Sequence, residues 1–205
     1  MTGEVLDRIL PGRKIGISHF GISCLDFDRM LDFYTRVIGL TIADQGRISA
    51  GGGTDLAFLT TDPLEHHQFV LASGRRDQVI ETTPVDGGSI GSNVFQVSFR
   101  VRDLDALRRL NARLDAEGLT QQTAMSHGNA WSLYVRDPEG NGLEFFVDSP
   151  WYVHQPCAEP LDLTRSDAEI LAETQAYCLA QPEVQPTGEW AAALAVEIIK
   201  DQERL

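Results

Sequence analysis

Cysteine is scarce in this chain, and its distribution excludes two classes of protein. The three cysteines, Cys24, Cys157 and Cys178, are odd in number and widely spaced, and no Cys-x-x-Cys pair occurs. The sequence therefore indicates neither a disulfide framework nor a cysteine-based zinc site. Reduced thiols fit a cytoplasmic protein, and we expect that location.

Basic residues and long apolar runs are also in short supply. Lysine and arginine number 17 against 30 aspartates and glutamates, which gives a formal net charge of -13. Because a nucleic-acid-binding surface neutralises phosphates with Lys and Arg, we expect no nucleic-acid partner. No window approaches the ~20 apolar residues of a membrane span, and the first residues lack the basic start and apolar stretch of a signal peptide. We expect no membrane partner either.

The chain does contain one order of predicted elements repeated twice. Its 205 residues, 42% of them hydrophobic, are enough for one large domain or two small ones. Apolar spacing predicts helices at 26–39 and 104–117, which Gly39 and Gly118 end. A strand is predicted before each helix, at 14–24 and 93–102. Three strands follow the first helix, at 40–44, 56–60 and 67–72, with a turn at 51–53, and three follow the second, at 120–125, 130–135 and 142–147.

We therefore predict an α+β fold of two βαβββ modules, at about 14–75 and 92–149, which form a curved mixed sheet in one domain over 14–149. Residues 150–205 differ in character, since they hold ten acidic and three basic residues and two predicted helices, at 166–181 and 187–204. Ser166 and Glu169 have the spacing of a capping box. We expect this helical C-terminal extension to pack on the core or on a partner subunit.

Strand periodicity places candidate functional residues on one face of the sheet. Phe95, Val97, Phe99 and Val101 alternate with Gln96, Ser98, Arg100 and Arg102, so this strand has an apolar and a polar face. The same alternation puts His19 and Glu144 on polar faces. We expect His19, Gln96 and Glu144 to meet in one cavity. Imidazole nitrogen and carboxylate oxygen, with open coordination positions, commonly hold non-haem Fe(II), Mn(II) or catalytic Zn(II).

Two parts of the sequence resemble the vicinal oxygen chelate superfamily, which includes glyoxalase I, bleomycin-resistance proteins and extradiol ring-cleaving dioxygenases. The residues at 19–26, 32–34 and 38–40 are similar to its opening strand and helix. Arg136-Asp-Pro-Glu-Gly-Asn141, shortly before Glu144, is similar to its closing turn and strand. The resemblance covers about 14–149 and implies the same fold.

Within the superfamily, the closer resemblance is to the extradiol dioxygenases. It implies that His19 and Glu144 are metal ligands and that His67, in Glu65-His-His-Gln-Phe-Val-Leu71, is an acid-base catalyst. It also implies that His127 and Tyr134 contact the substrate. The third metal ligand of that family is a histidine, and Gln96 stands at the matching position. The leading hypothesis is a homodimeric enzyme that uses Fe(II) and O2 to cleave a catechol-like aromatic substrate.

The departure at Gln96 keeps two other functions open. Glyoxalase-like members use glutamine as a ligand, and on that pattern His67 becomes a fourth ligand in a lyase or isomerase that acts through an enediolate. Mn(II), Zn(II) and Ni(II) are the alternative metals. Bleomycin-resistance-like members sequester a ligand without a metal, and Gln96 is then a buried amide. If these residues have no functional role, His127 is a solvated loop histidine and Tyr134 is a core aromatic. Strand periodicity does not determine whether His66 or His67 faces the cavity.

Overall fold

The structure is a computed structural model that describes residues 15–49, 53–75, 94–119 and 121–204. The first module begins with strand β1 (Phe20–Cys24) and helix α1 (Phe27–Asp32), which continues as a π-helical segment (Phe33–Ile38). Strands β2 (Thr41–Ile48), β3 (Thr54–Thr60) and β4 (Phe69–Ser73) complete it. These strands form a sheet in the order β1-β4-β3-β2, in which β1 is parallel to β4 and the other pairs are antiparallel.

Local sequence explains where α1 begins and where its π-helical continuation ends. The Asp26 side chain accepts a hydrogen bond from Arg29 N at 3.1 Å, which satisfies one of the N–H groups left free at a helix start. Gly39 follows the last helical residue with φ of 94°, a left-handed conformation that is cheap only without a Cβ. Met30 and Tyr34, between these two ends, are fully buried.

The second module repeats the order of the first. Strand β5 (Val97–Arg100) leads to helix α2 (Leu104–Ala116), and β6 (Thr123–Ser126), β7 (Ala130–Arg136) and β8 (Gly142–Asp148) follow. The strands lie in the order β6-β7-β8-β5, with β5 parallel to β8. The leucines at 104, 107, 110 and 114 are buried, as the spacing of three and four residues requires for one helix face.

One hydrophobic core cluster includes residues of both modules. Tyr34 in the first module donates its buried hydroxyl to Asp137 Oδ2 in the second at 2.9 Å. The rings of Phe69 and Phe99 meet edge to face with centroids 6.4 Å apart. Since burial of one large apolar side chain is worth about 1.5–3 kcal/mol, the shared core holds the two modules together.

Residues 150–204 pack against the second module. They contain β9 (Trp151–Tyr152), β10 (Glu159–Pro160), α3 (Asp167–Leu179), β11 (Gln185–Pro186) and α4 (Thr187–Gln202). β10 pairs with β6 and is the fifth strand of the second sheet, and β11 pairs with β9. Trp131 Nε1 on β7 donates to Thr174 Oγ1 on α3 at 2.8 Å, and Ile170 on α3 is 1% exposed. α3 begins at the predicted capping box of Ser166 and Glu169.

The predicted α+β fold with two βαβββ modules is confirmed, but several strands begin later than predicted, three of them at candidate site residues. β1 begins after His19, β4 begins after His67, and β5 begins at Val97. The prediction that Phe95 shares the apolar face of Val97 is wrong, because Phe95 is 66% exposed. The pairing of β5 with β8 starts only at Val97. Just before it, the Phe95 carbonyl oxygen packs directly against Gly142, where a Cβ added to the glycine would lie 2.7 Å from that oxygen.

Some sequence predictions concern residues that the structure does not describe. Residues 51 and 52 of the predicted turn, and residues 14, 93 and 120 of predicted strands, lie outside the described residues. The division into a domain over 14–149 and an extension over 150–205 stays a prediction. In the described ranges, no helix is both long and apolar enough to cross a membrane.

Candidate active site

Glu144 is the centre of a hydrogen-bonded cluster on the second sheet. Its neighbours Leu143 and Phe145 on β8 are buried in the core, and Glu144 projects from the opposite face, as the predicted alternation requires. Oε1 accepts from Ser132 Oγ at 2.8 Å and from the Tyr134 hydroxyl at 2.7 Å. Oε2 accepts from Gln96 Nε2 and from Ser98 Oγ, both at 2.7 Å, and these four donors engage both oxygens of the carboxylate.

Sheet register brings most of these donors to Glu144. Tyr134 on β7 is directly opposite Glu144 on β8, and Ser98 on β5 is its partner on the other side. Ser132 is two residues from Tyr134 and therefore shares its face of β7. Gln96 has the same parity as Ser98 and reaches the carboxylate from just before β5. The cluster is thus a feature of three paired strands.

The cluster also keeps Glu144 ionised. Burial alone would raise the pKa of the Glu144 carboxyl, but hydrogen bonds from Ser98, Tyr134 and Ser132 and the charge of His127 act in the opposite direction. The resulting pKa of Glu144 lies below its usual value. Burial, followed by the hydrogen bond to Glu144 and the charge of that carboxylate, raises the pKa of Tyr134 to about 12, so the phenol keeps its proton at neutral pH.

His127 extends the row beyond Tyr134. Its Nε2 lies 2.8 Å from the Tyr134 hydroxyl, and the two rings are nearly perpendicular, at 87°. Its Nδ1 lies 2.5 Å from the carbonyl oxygen of Cys157 in the C-terminal extension. His127 is thus hydrogen-bonded at both nitrogens rather than solvated at the end of a loop. The phenol of Tyr134 therefore lies within hydrogen-bonding distance of both the Glu144 carboxylate and the His127 imidazole, and the three groups form one row.

A second group of histidines lies at the start of β1 and β4. The ring centroids of His19 and His67 are 4.1 Å apart, and His66 Nδ1 is 2.8 Å from His67 Nδ1. His67 is the less exposed member of the adjacent pair, and its ring contacts Phe58 edge to face at 5.0 Å. Burial, and then the charges of His19 and His66, lower the pKa of His67. His67 is therefore mainly neutral near pH 7.

The predicted site residues thus fall into two clusters. Gln96, His127 and Tyr134 gather round Glu144, whereas His19 pairs with His67. Among the described residues, no hydrogen bond or ring contact joins the two clusters, and no group of three His, Cys, Asp or Glu side chains is placed to hold a metal ion. The ligand and catalytic roles assigned from the resemblance stay predictions.

Sequence reasoning missed two kinds of contact to this site. Ser98 and Ser132 were not singled out, although each has the parity of a predicted site residue on its own strand, Gln96 or Tyr134, and that signal could have found them. The Cys157 carbonyl left no signal, because a backbone group of a distant segment has no side-chain pattern.

A cavity of about 510 Å³ between the modules also has Ser98 in its wall, beside the aromatic rings of Phe69 and Phe99.

Residues 16–145 match the Glyoxalase/Bleomycin resistance protein/Dioxygenase superfamily. The chain belongs to this superfamily. It is 28% identical over 196 residues to "Biphenyl-2,3-diol 1,2-dioxygenase 3" of Rhodococcus globerulus, an alignment that covers 92% of this chain and 95% of that protein. It is 27% identical over 132 residues to "Biphenyl-2,3-diol 1,2-dioxygenase 2" of the same organism, which covers 64% of this chain and 62% of the other.

A solved member of the superfamily has a related fold. The glyoxylase/bleomycin resistance protein/dioxygenase domain from Frankia sp. EAN1pec superposes with a TM-score of 0.50 at 22% identity, over 65% of this chain and 98% of that one. The superposition concerns the fold alone. The superfamily match ends at Phe145, so it includes Glu144, Tyr134 and His127 and leaves the C-terminal extension outside.

Proposed function

We propose that this superfamily member is an extradiol-type dioxygenase that cleaves a catechol-like aromatic diol with O2. The observation that carries the proposal is the row of Glu144, Tyr134 and His127, in which three residues singled out by the extradiol resemblance lie in direct hydrogen-bonding contact. The similarity to proteins named as biphenyl-2,3-diol dioxygenases, one along nearly its whole length, supports the same class of substrate.

The two clusters supply the groups that an aromatic diol needs. Imidazole exchanges protons near neutral pH, so a neutral histidine can take up the proton that a diol hydroxyl releases. His67 has this role in the proposal, because its lowered pKa keeps it in the accepting form. Tyr134, whose pKa of about 12 keeps it protonated, donates its single proton to Glu144 Oε1 in the described structure. In the proposal this proton turns to the diol oxygen, and the contact with His127 Nε2 at 2.8 Å holds the phenol in place.

The metal assigned by the resemblance does not fit the described arrangement. Imidazole, carboxylate and amide groups are suitable ligand types for Fe(II) or Mn(II), and the resemblance assigns them to His19, Gln96 and Glu144, with His67 as a fourth ligand in the glyoxalase-like alternative. However, both Glu144 oxygens are engaged by protein donors, Gln96 presents its NH2 group rather than its oxygen, and His19 belongs to the other cluster. Metal binding by these residues would require Glu144 and Gln96 to exchange their present hydrogen bonds for coordination.

A second candidate function follows from the same hydrogen bonds. A carboxylate that accepts four protein hydrogen bonds is already stabilised without a metal, and the pKa of Glu144 is low as a result. This favours a metal-free protein that sequesters a ligand, as the bleomycin-resistance-like alternative supposes. The two candidates differ in whether O2 is consumed and whether metal is retained.

One experiment separates the two candidates. The purified protein is loaded anaerobically with Fe(II) or Mn(II), its bound metal is measured, and it is mixed with biphenyl-2,3-diol, catechol and methylated catechols. We expect O2 uptake together with the yellow absorbance of a ring-opened product. The metal-free protein is titrated with the same diols by calorimetry in parallel.

Two variants on β8 give the test and its matched control. Glu144→Gln should abolish O2 uptake, whereas Asp148→Asn should not, because Asp148 is on the same face of β8 but pairs with the exposed Arg100 at 2.7 Å. Diol binding without metal retention or O2 uptake would reject the dioxygenase and establish the binding protein. Retained metal without O2 uptake would instead favour the lyase or isomerase class.

A further inference from the structure

The C-terminal extension reaches the candidate active site through one short segment, 153–157. The Cys157 carbonyl oxygen is 2.5 Å from His127 Nδ1. The loop that carries His127 also packs tightly against this segment, since a Cβ added to Gly128 would lie 2.6 Å from Val153 Cγ2. The segment lies outside the part of the chain that matches the superfamily, so the contact is a property of this extension.

The contact determines which nitrogen of His127 carries the proton. A carbonyl oxygen has no hydrogen to donate, so Nδ1 must be the donor in a hydrogen bond to Cys157. In neutral His127, Nε2 then has a free lone pair that faces the Tyr134 hydroxyl at 2.8 Å. Tyr134 has one proton and two acceptors at similar distances, Glu144 Oε1 at 2.7 Å and His127 Nε2.

Gln155 holds the two backbone segments that make this contact. Its Nε2 donates to the carbonyl of His127 at 2.9 Å and to that of Val153 at 3.2 Å. Its Oε1 accepts from Cys157 N at 3.0 Å. One side-chain amide is therefore bonded to the backbone of His127 and to the backbone of Cys157, the two partners of the Nδ1 contact.

We propose that Gln155 is a positioning residue that fixes His127 as its Nδ1–H tautomer by holding the Cys157 carbonyl against the ring. The His127 Nε2 lone pair then stays available to the phenol of Tyr134. The tautomer itself depends on no substrate or metal. Its consequence for catalysis rests on the proposed function, since it matters only if Tyr134 contacts a diol.

The tautomer is measured directly by long-range ¹H–¹⁵N NMR of the full-length, metal-free, ¹⁵N-labelled protein. The spectrum is recorded about two pH units above the ordinary histidine pKa of ~6.5, where imidazoles are neutral. The chain has five histidines, and the signals lost in His127→Gln identify His127. We expect a protonated Nδ1 and an unprotonated Nε2 in the wild-type protein.

Substitution of Gln155 should change that pattern. Gln155→Ala removes all three amide hydrogen bonds, and the His127 nitrogen shifts should move toward the average of the two tautomers. Gln155→Glu keeps an acceptor for Cys157 N but loses the donor to the His127 carbonyl, so the His127 nitrogen shifts should move in the same direction. This variant replaces Gln155→Ala in the test if Gln155→Ala does not fold. His154→Gln, an exposed neighbour, should leave the His127 signals unchanged.

The outcomes separate this inference from the proposed function. An Nε2–H tautomer in the wild-type protein, or unchanged His127 shifts in the folded Gln155 variants, would overturn it. With the diol substrate, Gln155→Ala should lower kcat with little change in KM, by roughly 10- to 100-fold if the effect matches that of removing the hydrogen-bond partner of a metal-binding histidine. If the protein turns over no diol, the proposed function fails while the NMR result still decides the tautomer.

Discussion

Tyr134 and Glu144 face each other across β7 and β8, with the Tyr134 hydroxyl 2.7 Å from Glu144 Oε1. Directly opposed residues of an antiparallel pair project to the same face of the sheet, so register alone brings this phenol and this carboxylate together. A slip of one residue would move one of them to the core face. The centre of the candidate active site therefore takes its geometry from a paired sheet.

Replacing Tyr134 with Phe should raise the pKa of Glu144 and slow turnover while preserving the fold. The variant removes a hydrogen bond that stabilises the ionised carboxylate and separates Glu144 from His127. We expect a loss on the order of 10²-fold in kcat, typical of a missing proton donor, and about 1 kcal/mol in the free energy of unfolding.

The matched control for that variant is Tyr152→Phe. Tyr152 stacks on Trp190 with ring centroids 4.8 Å apart, in the C-terminal extension. Steady-state kinetics with biphenyl-2,3-diol and the side-chain carboxyl signal of Glu144 in a pH series give the two readouts. Equal effects of both substitutions on kcat, with an unmoved Glu144 titration, would count against a specific role for Tyr134.

The low pKa of Glu144 predicts how stability depends on pH. Hydrogen bonds to the ionised form lower the folded-state pKa, so this contribution to stability is fully present above the ordinary glutamate pKa of about 4.5 and is lost as the pH falls through the folded value. Urea unfolding of the wild-type protein and of Glu144→Gln between about pH 7 and pH 3 should therefore give curves that converge at low pH. A constant difference across the series would show that ionisation of Glu144 does not contribute.

Much of the fold and part of this site were predictable from the sequence, for a physical reason. Strand alternation and the helix-ending Gly39 and Gly118 are local signals, and they predicted the two modules and the polar face that carries Glu144. The exposure of Phe95 was not predictable, because it depends on where the pairing of β5 with β8 begins. The hydrogen bonds of Gln155 were not predictable either, since they join backbone groups far apart in the sequence.

Replacing His67 with Phe tests whether this residue is a proton acceptor or a metal ligand. Phe preserves the ring contacts to Phe58 and His19 but cannot accept a proton. For an acid-base group we expect turnover to fall on the order of 10²-fold or more while the protein retains the metal with which it was loaded. Metal analysis and O2 uptake are measured on the same sample.

The control for this variant is His66→Phe, which changes the exposed neighbour. It should lose less activity than His67→Phe, because it removes the contact with His67 Nδ1 but leaves the His67 imidazole in place. Loss of bound metal in His67→Phe would contradict the acid-base assignment and favour the glyoxalase-like ligand set.

Truncation after Ser149 should destabilise the protein rather than simply shorten it. The deletion removes Ile170 from the core cluster and takes the acceptor Thr174 Oγ1 from the buried Trp131 N–H. An unpaired buried donor alone costs about 1–3 kcal/mol, so we expect a clear fall in the melting temperature.

Thr174→Val isolates that one hydrogen bond, and Thr164→Val, at an exposed site, is its control. Melting temperature and oligomeric state are compared by calorimetry and light scattering. A truncated chain that matches the full-length protein in both, and in diol turnover, would show that the extension is an independent appendage.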